Sequence, residues 1–158
     1  MQVNFGNRAM LLGWEGFEGP ISSGATQDLT LYWRALSPGD GDWHVGLSLK
    51  DAAGASWSLD LRPARWGRTP PDFQLWPPDG YARMDKLVGL PAGIPPGVYT
   101  PTLSLFDRKT LVPASVLGRD GNPVGPTLAL VPIEVTRPPE TPTLQALKVP
   151  DRKSTRLN

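Results

Sequence analysis

No cysteine occurs in the 158 residues, which excludes disulfide frameworks, thiolate metal sites and cysteine nucleophiles together and says nothing about redox compartment. No apolar run approaches the roughly 20 residues that cross a bilayer. The N-terminal stretch MQVNFGNRAMLLG lacks the charged, apolar and cleavage regions of a signal peptide, so a soluble piece without direct membrane insertion is expected. There is no glycine-rich loop entering a helix, no Walker pattern and no dinucleotide fingerprint; nucleotide chemistry is excluded and no cofactor is expected. A long amphipathic helical period is missing throughout. Nor does one charge dominate: 16 basic and 15 acidic residues leave +1.

Even that small excess is local. Residues 151–158, DRKSTRLN, share neither the alternation nor the Pro/Gly turns upstream, and they resemble the translated read-through of a sequencing adapter. An artefactual tail is therefore expected over 151–158, on a fragment whose genuine sequence ends near Pro150. Without Arg152, Lys153, Arg156 and Asp151 there remain 13 basic and 14 acidic residues, a net charge of −1. Nucleic acid is then not an expected partner.

What the chain does have is punctuation. Its 19 prolines and 17 glycines are roughly twice the average usage, and between them lie alternating apolar segments. The clearest is Leu90 to Asp107, LPAGIPPGVYTPTLSLFD, where Pro95, Pro96 and Gly97 turn the chain into a strand. Tyr99, Leu103 and Leu105 point to one face of it and Thr100, Thr102 and Ser104 to the other. Val3 to Phe5 reads as an edge strand and Ala9 to Phe17 as a bulged one. Leu29, Leu31 and Trp33 alternate with polar neighbours, and so do Trp43, Val45, Leu47 and Leu49 beyond the turn SPGDGD; the two are expected to form a hairpin. Trp57, Leu59 and Leu61 give a third consecutive strand.

Pro63 to Gly80 is too rich in proline for a central strand and is expected to be a long loop crossing between sheets in a Greek key. Tyr81 to Val88 and Tyr99 to Phe106 supply later strands, Val112 to Leu117 a weak one, and Thr127 to Val135 the last. In that last strand a bulge at Val131 and Pro132 would keep Leu128, Leu130, Ile133 and Val135 on the core face. The fold class is all-β: one antiparallel β-sandwich, immunoglobulin-like or jelly-roll, of about eight strands. It spans residues 1–137, followed by a Pro-rich linker over 138–150.

Candidate chemistry is sparse. His44, the only histidine, lies near Asp42 and is the one conceivable imidazole base, but it sits on the polar parity of its strand and no G-x-S-x-G elbow accompanies it. Asp40, Asp42, Asp51, Asp60 and Asp107 could serve glycoside hydrolysis if a cleft set two of them about 5 to 9.5 Å apart. Aspartate before glycine, as at Asp40, Asp79 and Asp120, is otherwise a turn former. The SPGDGD turn falls short of a calcium loop, with carboxylates only at i and i+2.

The aromatic set is richer. Of six tryptophans, Trp33, Trp43 and Trp57 fall on the apolar parity of strands and read as core. Trp66 and Trp76 lie in the proline-rich loop with Arg62, Arg65, Arg68 and Asp72. There, flat indoles beside polar groups could recognise a glycan, or could fold back as a lid over an open edge of the sandwich. The candidate ligand-binding residues are accordingly Trp66, Trp76, Arg65, Arg68 and Asp72, with no catalytic or metal-binding residue.

The succession VNFG (3–6), LLGWE (11–15), LTLYWRAL (29–36), GLSLKDAAG (46–54), WPPDGY (76–81) and LPAGIPPGVYTPTLSLFD (90–107) resembles a β-sandwich domain found as the C-terminal extension of bacterial, Chloroflexi-type, multi-pass glycosyltransferase-like membrane proteins. The resemblance covers residues 3–136. Members more often carry a Tyr-x-Val-Phe-x-His-Leu strand, and here Ser48 stands where they have the histidine. The resemblance implies a non-catalytic, extracytoplasmic accessory domain and names no ligand; the expected function is an accessory module of a surface-glycan or glycosyltransferase system at the cell surface, with a glycan or the parent membrane protein as partner. The alternatives are a purely structural or protein-interaction domain and a glycoside hydrolase-like enzyme.

Overall fold

A computed structural model describes residues 2–37, 41–63 and 76–140. Among these residues there are thirteen strands and no helix. The strands are β1 (Val3–Phe5), β2 (Ala9–Gly16), β3 (Ile21–Ser22), β4 (Thr26–Ala35), β5 (Trp43–Lys50), β6 (Ser56–Ser58), β7 (Asp60–Pro63), β8 (Tyr81–Gly89), β9 (Gly97–Asp107), β10 (Val116–Leu117), β11 (Pro123–Gly125), β12 (Leu128–Ala129) and β13 (Ile133–Thr136). One sheet has the order β11-β10-β1-β2-β4-β8-β7; the other runs β3-β13-β9-β5-β6, with β12 also on β9. Every pairing is antiparallel except β3 with β13. This is the all-β sandwich that the alternation predicts.

The alternation becomes burial directly. In β4, Leu29, Leu31, Trp33 and Ala35 are buried and the residues between them are not. In β9 the same holds for Tyr99, Pro101, Leu103 and Leu105. These two strands face each other across the sandwich, and their inward side chains join Phe5, Leu11, Leu47, Leu49 and Val88 in one core. Burying each such side chain contributes about 1.5–3 kcal/mol. Trp33 is fully buried as expected; Trp43 and Trp57 pack partly buried against the core, and Trp57 meets Tyr99 edge to face at 5.3 Å. The chain end also follows expectation: Leu130, Ile133 and Val135 are buried, Leu128 is half-buried, and the strand breaks at Val131 and Pro132 to allow it.

Four expectations are corrected. The first strand, β1, is interior, because β10 pairs on its far side from β2. The anticipated hairpin of β4 and β5 does not form: β4 pairs with β2 and β8, whereas β5 pairs with β9 and β6 in the opposite sheet. The third consecutive strand is split. β6 pairs with β5, β7 pairs with β8, and between them only Leu59 carries the chain from one sheet's pairing to the other's, its N–H donating to the Leu47 carbonyl at 2.9 Å. The proline-rich segment that follows therefore does not pass between sheets, since β7 and β8 at its two ends are antiparallel neighbours. Such splits and two-residue strands also raise the strand number above the expected eight. The expected tail and most of the expected linker, residues 141–158, lie outside the described residues.

Candidate functional site

The loop set from the sequence is only partly placed. Arg65, Trp66, Arg68 and Asp72 lie outside the described residues. Trp76 is described, and it is a core residue, 3% exposed. An indole covered to that degree presents no face to a ligand, so Trp76 is corrected from binding platform to core. Arg62 is exposed beside Asp60, with which it forms an ion pair at 2.6 Å.

The aspartates turn the chain. Asp51 accepts the Ala55 N–H at 2.8 Å, Asp107 the Lys109 N–H at 2.8 Å and Asp120 the Asn122 N–H at 3.1 Å. Asp51 and Asp107 stand at opposite ends of the β5–β9 ladder, which runs from Lys50↔Thr100 to Trp43↔Asp107. Seven residue steps separate those ends, about 23 Å, far beyond the spacing of a glycosidase pair. Asp60 belongs to the other sheet, and Asp40 lies outside the described residues.

His44 does meet Asp42, with Nε2 2.8 Å from Oδ1. Asp42 is engaged on its other side too: Arg108 Nε donates to Oδ2 at 2.9 Å, and the Arg108 N–H donates to the Asp42 carbonyl at 2.8 Å. The His44 hydrogen bond and, after it, the Arg108 guanidinium hold the Asp42 carboxyl below the usual carboxylate range. The cluster fastens the chain entering β5 to the turn leaving β9. Among the described residues no three His, Asp or Glu side chains gather into a metal site.

A concave site lies elsewhere, where the chain leaves one sheet for the other after β2. The β2–β4 register slips between Leu11 and Gly13, and beyond this bulge Trp14 is half-buried against the core. Gly16 (φ +77°) then brings the backbone against the Asp28 carbonyl, which accepts the Phe17 N–H at 2.9 Å. Phe17 turns inward and is buried. Gly19 passes so close to β13 that a Cβ there would stand 2.9 Å from the Glu134 nitrogen. The facing wall is the break between β12 and β13, where the Leu130 N–H donates to the Pro101 carbonyl at 2.8 Å.

Between these walls opens a cleft of about 290 Å³, lined by Trp14, Phe17, Glu18, Leu130, Pro132 and Ile133 among others. Its volume is near the lower end for small-molecule sites, large enough for a single ring. The chemistry it offers is an indole, an exposed carboxylate at Glu18 and an apolar floor. An aromatic face stacks on the C–H side of a sugar ring while a carboxylate accepts from its hydroxyls. Sequence reading placed Trp14 in a bulged strand without assigning it a role. The hint was the framing of Trp14 by Gly13 and Gly16, but the facing wall comes from residues more than a hundred positions away.

Compared with models of known protein families and with curated proteins, the sequence matches none.

Proposed function

We propose that the domain is a non-catalytic accessory module of a surface-glycan system that holds a sugar residue against Trp14, in the extracytoplasmic setting implied by the resemblance to glycosyltransferase-associated domains. The observation that carries this is the cleft itself: a ring-sized space whose lining includes the half-buried Trp14, the exposed Glu18 and the buried Phe17 and Ile133. Asp42, Asp51, Asp107 and the one imidazole are engaged in turns and an ion pair, which favours binding over hydrolysis.

The test is a tryptophan fluorescence titration of the full chain with a panel of neutral, amino and acidic monosaccharides and their disaccharides, beside Trp14→Ala and Glu18→Gln. Saturable quenching by one sugar class that Trp14→Ala abolishes supports the reading. No response to any sugar sinks it. A second reading, a structural or protein-interaction domain on the parent membrane protein, is favoured by the burial of Trp76, since the loop indole folds into the core. Co-purification with the parent protein independent of glycan would support that alternative.

A further inference from the structure

The outer face of the seven-stranded sheet carries an organised polar surface that neither the resemblance nor the cleft accounts for. Because Leu29, Leu31 and Trp33 point inward, Thr30, Tyr32 and Arg34 of β4 point outward. Their cross-strand neighbours share that face: Glu15 beside Thr30 and Gly13 beside Tyr32 on one flank, Asp85, Arg83 and Tyr81 on the other. The polar groups hold one another. Tyr32 Oη donates to Glu15 at 3.0 Å, Thr30 Oγ1 to Asp85 at 2.8 Å, Arg83 Nε to Asp85 at 2.9 Å and Arg34 Nη2 to Asp79 at 2.7 Å. The hydrogen bond to Glu15 also raises the Tyr32 phenol above its ordinary range.

We infer that this face is a binding surface for an extended, neutral polysaccharide chain. Three observations select that ligand. Arg34 and Arg83 each form an ion pair with a neighbouring carboxylate, Asp79 and Asp85, so the face has no stripe of one sign for a polyanion. Those pairs fix donors and acceptors side by side, which suits hydroxyls that both donate and accept, and the ordering cost on binding is already met. Finally, Tyr81 is 74% exposed and stands diagonal to Tyr32, about 7–8 Å away, giving two rings along one direction. Beside Tyr32 the floor is open, because a Cβ on Gly13 would meet no atom within 4 Å. The surface is separate from the Trp14 cleft, which opens on the inner side of β2.

Affinity electrophoresis of the full chain through gels holding soluble mixed-linkage β-glucan, dextran or galactomannan tests the inference, with alginate and heparin as charged controls. Retardation by a neutral polymer is expected. It should weaken about tenfold in Tyr32→Ala/Tyr81→Ala and in Gly13→Leu, which fills the floor at a position with room for a side chain. Loss of retardation in Trp14→Ala, with Tyr32→Ala/Tyr81→Ala retarded like the parent, would place the polymer in the cleft and overturn the inference, which separates the two sites. Unfolding midpoints of the variants identify any that lose retardation through misfolding, and Gly13→Leu keeps the test decisive if the tyrosine pair does. Retention only by the charged polymers, no retention by any polymer, or equal retention of folded variants would overturn the inference.

Discussion

Replacing Gly16 by alanine tests whether the turn that shapes the cleft is fixed by backbone approach or only by backbone dihedral. At φ +77° an alanine incurs the left-handed cost of about 1–2 kcal/mol. Its Cβ would also stand 2.5 Å from the Asp28 oxygen. That oxygen accepts the Phe17 N–H, so relief of the clash weakens a hydrogen bond worth about 0.5–1.5 kcal/mol. Against this, alanine restricts the unfolded chain and returns about 0.5 kcal/mol. The net destabilisation is about 1–3 kcal/mol.

Gly54 provides the control, since at φ +89° it has the same dihedral constraint but open space where the Cβ would go. Gly54→Ala should therefore cost only about 0.5–1.5 kcal/mol. Urea unfolding followed by tryptophan fluorescence reads both. With an m-value of about 2 kcal/mol/M, the midpoint should fall by about 0.5–1.5 M for Gly16→Ala and, lacking the hydrogen-bond loss, by about 0.25–0.75 M for Gly54→Ala. Equal shifts at unchanged m-value would refute the claim that the Asp28 contact fixes this turn.

Two other perturbations follow from the packing and the charges. Leu103 is fully buried between Leu47 and Leu128 on the neighbouring strands, so Leu103→Ala should cost about 3 kcal/mol and lower Tm by about 10 °C by calorimetry. The lowered Asp42 pKa contributes stability above the carboxylate's unfolded value of about 3.8, and that contribution is lost as pH falls through the lower folded value. Asp42→Asn should accordingly destabilise the protein at neutral pH and flatten the part of its acid sensitivity that Asp42 supplies. Urea midpoints measured from neutral pH down to about pH 2 check this; an unchanged acid slope would count against it.

The inward residues of β4, β5 and β9 were legible because strand periodicity is a local property, and Leu31, Leu47 and Leu103 show it within a few residues of chain. Sheet membership was not legible. SPGDGD says that the chain turns between Trp33 and Trp43, and nothing in it says whether the next strand joins the same sheet or the facing one. The alternation through Trp57, Leu59 and Leu61 likewise continues unbroken while the hydrogen bonding changes sheets. The sites fared differently for the same reason. Trp76 looked available because prolines surround it, yet burial is a long-range outcome. Trp14 drew no assignment because the cleft depends on a wall supplied by residues 130–133.

The passage of the chain through Leu59 has a dynamic consequence. With three residues before it bonded into one sheet and four after it into the other, the segment acts as a rivet. Opening of either sheet pulls on the other, so slowly exchanging amides of β5 and β8 should report one common opening free energy, that of the whole domain.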